Sequence, residues 1–376
     1  MEWKITLSDI DFGPEESEFV QDVLNTRWLT MGSMTQKFEA EFAAYVGAKH
    51  AIAVTNGTAA LHLACLVAGL GPGDEAIVPS LTFVATANAI RYVGATPVFA
   101  DITSQDDLNI SPNSIERLIS QRTQAIVVVH YGGYPCEMDQ IMALARNNNL
   151  MVIEDAAHAV GAELGGRGLG TWGDVGCYSF FSNKNLTTGE GGMVVTNNDE
   201  LAEKLRLLRS HGMTSLTWDR HRGHAWSYDV VALGYNYRLD EIRAALGCAQ
   251  LAKVEKNNER RRYLVQIYRD ALQELVPQVG LPFQNHTGKT SAHLMPVLLP
   301  AGAARETFMS RMKEQGIQTS IHYPPVHTFS AYKNGDPLEL PVTEDVASRE
   351  VTLPLYPTLA EDDVYTVVEA VRQSIS

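Results

Sequence analysis

The sequence predicts an α/β fold: a mostly parallel, seven-stranded-type sheet sandwiched by helices, followed by a smaller C-terminal α/β domain. Three observations predict it. Short apolar runs of strand length alternate with helix-patterned segments from Ala51 to Thr196, the signature of a sheet covered on both faces. Ala125-Ile126-Val127-Val128-Val129 is apolar without a break, as in a strand buried on both sides. A long helical pattern from about Leu239 to Leu275 then leads to a second, shorter alternation.

Taken in order, residues 1 to about 30 read as an arm, with an acidic helix that opens at Pro14 and closes near Asn25-Thr26. A second helix is expected over Gln36 to Tyr45, stopped by Gly47. Ala51 to Val54 is a strand and Thr58 to Leu70 a helix, broken by Gly71-Pro72-Gly73. Ala76 to Pro79 is a strand, Thr82 to Tyr92 a helix, and Thr96 to Ala100 a strand. Ser111-Pro112 pairs an N-cap with proline at the first helical position. Strand 125–129, helix 138–147 and strands 150–153, 175–180 and 193–196 complete the large unit, with a helix over 200–209. A polar loop from His211 to about Val230 reads as a lid or interface loop. The second unit is expected to contain a strand over 291–299, a helix over 303–315, a strand over 319–322 and a closing helix over 360–374. The resulting division is an arm (1–30), a large domain (31–250) and a small domain (251–376).

The chain has 376 residues, 45% of them hydrophobic, enough to fill a sizeable core. Its 30 Lys and Arg against 44 Asp and Glu give a charge of −14, which argues against nucleic acid as a partner. No run approaches the roughly 20 apolar residues of a membrane span, and the first residues carry no secretory pattern, so a cytoplasmic protein is expected. Cys65, Cys136, Cys177 and Cys248 are widely spaced and signal neither disulfides nor a zinc site. His221 and His224 form a lone H-x-x-H in a polar loop, and no metal is expected. Gly288-Lys289-Thr290 lacks the glycine and the strand-loop-helix context of a phosphate-binding Walker loop.

Chemistry concentrates between Ile153 and Gly192. An apolar strand delivers Asp155 and, just beyond, His158; one strand later Lys184 lies among Ser, Thr, Asn and Gly. A buried lysine must lower its pKa or form an imine, and a carboxylate where strand meets loop needs a charged partner. Lysine for a Schiff base and acid for a pyridine nitrogen is what pyridoxal phosphate requires. Thr55-Asn56-Gly57-Thr58 joins a strand to a helix, so free N–H groups at Gly57 and Thr58 form a phosphate seat without a basic residue. Phe83 is placed to stack on a ring.

With those residues in place, the chain resembles the DegT/DnrJ/EryC1/StrS sugar aminotransferase family, of fold type I among pyridoxal phosphate enzymes, over nearly its whole length. The resemblance rests on Asn56 to Leu61, Pro79 to Phe83, His130 to Pro135, Glu154 to His158, Ser179 to Gly192, Gly234 to Leu239 and His322 to His327. It implies that Lys184 carries pyridoxal phosphate, Asp155 pairs with the ring nitrogen, and His158 lies near the ring oxygen. It implies further that Ser179 and the Gly57 and Thr58 amides hold the phosphate, that Phe83 stacks, and that Asn236 reaches the phosphate of a second subunit, making a homodimer with active sites at its interface. Tyr323 and His327 match a segment near the substrate. The implied reaction moves an amino group, from L-glutamate, through pyridoxamine phosphate, to the keto group of a nucleotide-diphosphate-linked sugar, for a polysaccharide or glycosylated metabolite.

Two departures are visible. Ser182-Asn183 stand where Pro-Thr is common, and the loop from Thr214 to Tyr228 is longer than usual. A cyclitol or aminobenzoate-type aminotransferase would share every cofactor residue. A dehydratase of this family would carry histidine in place of Lys184. A regulator that only binds the cofactor would be expected to lack Lys184, Asp155 or the phosphate seat, and all three are present.

Overall fold

The computed structural model describes residues 3–214, 227–333 and 338–375. Two helices, α1 (Pro14–Thr26) and α2 (Ser33–Val46), precede the sheet. Gly32 offers α2 no side-chain cap. Glu241, far along the chain, accepts instead from the N–H groups of Gly32, Met34 and Thr35 at 2.8 Å. A carboxylate at a helix N-terminus also meets the positive end of the dipole, so this contact ties α2 to the long helix that Glu241 opens.

The alternation follows as β1 (His50–Val54), α3 (Gly57–Val67), β2 (Glu75–Pro79), α4 (Ala85–Tyr92), β3 (Thr96–Ala100), α5 (Pro112–Leu118), β4 (Thr123–Val129), α6 (Met138–Asn148) and β5 (Met151–Asp155). A small hairpin, β6 (Glu163–Leu164) and β7 (Arg167–Gly168), precedes β8 (Val175–Ser179), β9 (Gly192–Thr196) and α7 (Asp199–Arg209). The main sheet runs β1-β9-β8-β5-β4-β2-β3. β9 pairs antiparallel with both neighbours, and the other pairings are parallel. The reason lies in the connection: no crossover helix separates β8 from β9, and without one a neighbouring strand must return antiparallel. That returning segment carries Lys184.

The six remaining strands therefore point their carboxyl ends to one edge, where ligands bind in such sheets. Phe180, directly after β8, anchors the lysine segment: it is buried against Phe38 at 5.3 Å and Phe42 at 5.4 Å between ring centroids. Burying each such ring stabilises the fold by about 1.5–3 kcal/mol.

The 35-residue helix α8 (Glu241–Leu275) leads to β10 (Met295–Leu298), α9 (Arg305–Glu314), α10 (Pro341–Arg349), β11 (Glu350–Leu353) and α11 (Glu361–Ser374). β10 and β11 form their own antiparallel pair, packed in a separate core with Val265, Tyr268 and Val368.

Most expected elements lie within a few residues of their predicted bounds. The exceptions have physical causes. Residues 319–322 form no strand: Ser320 makes one bridge to Thr352, and the next backbone donor, His322 N–H, is taken by the Glu350 side chain. The true partner of β10, β11, was not anticipated. The strand expected from 291 starts at 295, because Ser291 and His293 spend their N–H groups on Gly133 and Gly132. The helix expected from Thr82 begins at Ala85, and the one expected to reach Leu70 stops at Val67, before Gly69 turns with φ +78°. The loop expected from His211 to Val230 is described only at its two ends; His221 and His224 lie outside the described residues. The four cysteines are free and buried. Among the described residues, no helix is long and apolar enough to cross a membrane.

Candidate active site

A cavity of about 880 Å³ opens at the carboxyl edge of the main sheet. Gly57, Thr58, Phe83, Asp155, His158, Ser179, Lys184 and Tyr323 all line it, although they come from five separate stretches of sequence. Strand order explains the convergence: β1, β8 and β5 lie within three neighbouring positions of β9, and each ends at the same rim.

The expected phosphate seat is built by close approach. Asn56 caps α3 through its side chain, accepting from Ala59 N–H at 2.8 Å, while the N–H groups of Gly57 and Thr58 belong to the first turn, which has no intrahelical acceptor. A Cβ on Gly57 would lie 2.9 Å from Ser179 Cβ, and one on Gly192 would lie 2.6 Å from the Asn56 carbonyl. Both glycines thus let the helix terminus sit directly against the ends of β8 and β9, with Ser179 beside the exposed amides.

Asp155 is buried and accepts from Thr86 Oγ1 at 2.8 Å and from Ala157 N–H at 3.2 Å. Burial pushes its carboxyl pKa up, against the pull of these donors and of Lys184. Burial lowers the Lys184 amine to about 8, with the Asp155 charge opposing. An amine so placed is partly neutral, and hence nucleophilic, near physiological pH.

His158 receives the Gly132 N–H at Nδ1, 3.2 Å away, and its Nε2 lies 3.1 Å from the Tyr323 hydroxyl. Burial, then the Lys184 and His322 charges, hold its pKa well below the ordinary histidine value. A neutral ring that accepts at Nδ1 must carry its proton on Nε2, so His158 donates to the Tyr323 oxygen. The His293 ring packs on it at 4.5 Å, and Ser291 Oγ donates to its carbonyl at 2.5 Å.

Two expected residues lie elsewhere. Asn236 is exposed and bridges Ser210 outside the cavity. His327 is held behind the β2 turn by Ser80 Oγ, 2.7 Å from Nδ1, and by Glu344 at 3.3 Å. Residues that sequence reasoning missed are Thr86, the donor to Asp155, and His322, which lines the cavity beside Tyr323. Thr86 sits on a helix with no local signal; His322 opens a recognised motif of which only Tyr323 and His327 were singled out.

The donor set fits pyridoxal phosphate. An amine stands for its carbonyl, a buried carboxylate for its ring nitrogen, paired free amides and a serine for its phosphate, and an exposed Phe83 ring, 6.0 Å from that of Tyr323, for a planar face.

Comparison with known proteins supports the same reading. Residues 11–372 match the model of the DegT/DnrJ/EryC1/StrS aminotransferase family. The spore coat polysaccharide biosynthesis protein SpsC of Bacillus subtilis is 42% identical over 96% of this chain and 95% of its own. The structure of DesI in the presence of its TDP-sugar product is 32% identical, with a TM-score of 0.89 over 100% of this chain and 93% of that one. Spr1654 of Streptococcus pneumoniae in its PMP form is 27% identical, with a TM-score of 0.92 over 98% of each chain.

Proposed function

The chain belongs to the DegT/DnrJ/EryC1/StrS aminotransferase family, and from that premise we propose that it transfers an amino group from L-glutamate to the keto group of a nucleotide-diphosphate-linked sugar. The product is an amino sugar destined for a polysaccharide or a glycosylated metabolite. The observation that carries this reading is the meeting of Lys184 and Asp155 in one cavity with the free amides of α3. The polysaccharide role in the name of SpsC and the TDP-sugar product present with DesI support the acceptor class.

Lys184, Asp155, His158, Phe83, Ser179 and the Gly57 and Thr58 amides would hold the cofactor. When bound, pyridoxal phosphate supplies the carbonyl that carries the amino group and a ring that takes up electrons. The Asp155 carboxylate would hold a proton on the ring nitrogen. The Lys184 amine, with its pKa near 8, takes a proton from the donor α-carbon and returns one later, serving as base and then acid. His158, neutral, holds its Nε2 proton toward Tyr323 and so presents no competing positive charge. Tyr323 and His327 belong to the segment that meets the acceptor, Tyr323 directly and His327 by fixing the Ser80 turn beside Phe83.

The active unit is a homodimer with active sites at its interface. Asn236 is exposed and outside its own chain's cavity, as a residue serving a second copy must be, and Phe83, Phe181 and Leu233 are exposed at 58%, 46% and 86%. The test is a two-stage absorbance experiment. The purified protein is converted to its amine form with L-glutamate and then challenged with nucleotide-linked 3-keto and 4-keto sugars and a keto-cyclitol. Recovery of the starting spectrum with a keto sugar is expected. Recovery with the cyclitol alone would move the acceptor to that class, and failure of every amino acid to change the spectrum would refute transamination.

A further inference from the structure

His322 lines the cavity, but the groups that hold its N–H and its ring come from β11 in the smaller sheet. Its N–H donates to Glu350 Oε2 at 2.8 Å, its Nδ1 lies 2.8 Å from Thr352 Oγ1, and Thr352 Oγ1 lies 2.6 Å from Glu350 Oε1. The backbones of Thr352 and Ser320 exchange hydrogen bonds at 2.8 and 3.2 Å, and the Tyr131 hydroxyl donates to the His322 carbonyl. Glu350 and Thr352 are 1% and 2% exposed. The ring is therefore clamped at the backbone on both sides and at Nδ1. Among the described residues Nε2 has no hydrogen-bond partner, which leaves it for a ligand in the cavity.

A hydroxyl has one hydrogen to give. With Glu350 ionised, Thr352 donates to Oε1 and must accept from Nδ1–H, so Nε2 presents a lone pair. With Glu350 protonated on Oε1, the carboxyl donates to Thr352, which then donates to Nδ1, and Nε2 carries the proton. We propose that Glu350 is a positioning residue that sets the tautomer of His322 through Thr352, so that the ring accepts a hydrogen bond from the bound substrate when Glu350 is ionised and donates one when it is protonated.

Supporting electrostatics agree with this relay. Burial pushes Glu350 up to about 7, against Thr352, the His322 N–H and Arg305. Burial and the Lys184 charge bring His322 down to about 4, so its ring stays neutral through that range. The other groups facing Glu350 are Tyr131 and Tyr323, both held protonated by burial, and Arg305, which donates to the Glu350 carbonyl at 3.4 Å. Neither tyrosine titrates near 7. Lys184 titrates close by, near 8, and the variant below retains it.

Glu350→Gln reproduces the protonated state. Its amide oxygen must accept from the His322 N–H, which turns its NH₂ toward Thr352 and forces Thr352 to donate to Nδ1. The opposite amide orientation would set two donors against each other. The test is ¹⁵N NMR of the holoenzyme labelled at histidine nitrogens, with the His322 signals identified by their loss in His322→Gln. In the wild type, Nε2 is expected to pass from protonated to unprotonated as pH rises through about 7. In Glu350→Gln it stays protonated throughout, and in Thr352→Val the tautomer no longer follows pH in that range. A single wild-type tautomer across the range, or a switch that persists in Glu350→Gln, overturns the proposal. If Glu350→Gln does not fold, the wild-type titration and Thr352→Val decide. Only the identity of the substrate rests on the aminotransferase reading, so a failed acceptor screen would leave the NMR result standing by itself.

Discussion

The hydroxyl of Tyr323 lies 3.1 Å from Nε2 of His158, joining two residues separated by 165 positions in the chain. Because Gly132 N–H occupies Nδ1, this contact is the one outlet for the His158 proton among the described residues, and it ties the proposed substrate segment to the proposed cofactor pocket. Replacing Tyr323 with Phe leaves a buried N–H without an acceptor. The loss of one neutral hydrogen bond is about 1 kcal/mol, so kcat/KM for transamination should fall roughly fivefold while cofactor affinity changes little. Steady-state kinetics beside a cofactor titration checks this; an equal loss in both would assign Tyr323 to cofactor binding.

Gly57 should tolerate no side chain. A Cβ there would stand 2.9 Å from Ser179 Cβ, closer than real carbon contacts, so Gly57→Ala must push the α3 terminus away from β8. The amides then leave the phosphate seat, and affinity for pyridoxal phosphate should fall at least about tenfold, or about 1.4 kcal/mol. Fluorescence titration of the cofactor-free protein measures it. Unchanged affinity would remove the helix terminus from the phosphate site.

These two relationships also mark how far the sequence could be read. The parallel sheet was legible because strand and helix periods alternate between Ala51 and Thr196, and Lys184 was legible because glycines and a strand end flank it. Asp155 and His158 followed from the apolar strand before them. Thr86 was not legible, since its bond to Asp155 spans 69 positions and depends on how α4 packs. Nor was the β10–β11 pair: β11 is four residues long and follows directly on a helix, so no loop signal separates them. Glu350 takes a donor that a strand at 319–322 would have given to its neighbour's backbone, an exchange between side chain and backbone that no periodicity encodes. Asn236 and His327 were marked by motif alone, and a single chain puts neither in the cavity.

The Lys184 amine titrates near 8 because burial outweighs the attraction of Asp155. Only the neutral amine attacks a carbonyl. Uptake of pyridoxal phosphate by the cofactor-free protein should therefore speed up as pH rises and level off above about 8. Asp155→Asn removes the attraction that favours the ammonium, so the inflection should move to lower pH. Stopped-flow absorbance over a pH series reads both proteins, and coincident inflections would mean that the two groups do not interact.

The same depressed pKa makes Lys184 a cost to folding. Its folded value, about 8 against an ordinary value of 10.5, means that the fold favours the neutral amine. The stability linked to this group is complete above the unfolded value and is lost as pH falls through the folded one. At neutral pH the cofactor-free protein therefore bears a penalty, at most roughly 3 kcal/mol from that difference. Lys184→Met keeps an unbranched side chain, one atom shorter, without the charge. It should abolish transamination yet raise the Tm of the cofactor-free protein at neutral pH, and the gap between variant and wild type should close as pH approaches 10.5. Thermal unfolding of both proteins across that range is the measurement. A variant less stable than the wild type at neutral pH would mean that the lysine stem is held by packing that methionine cannot replace, and that the buried charge is compensated in the native cavity.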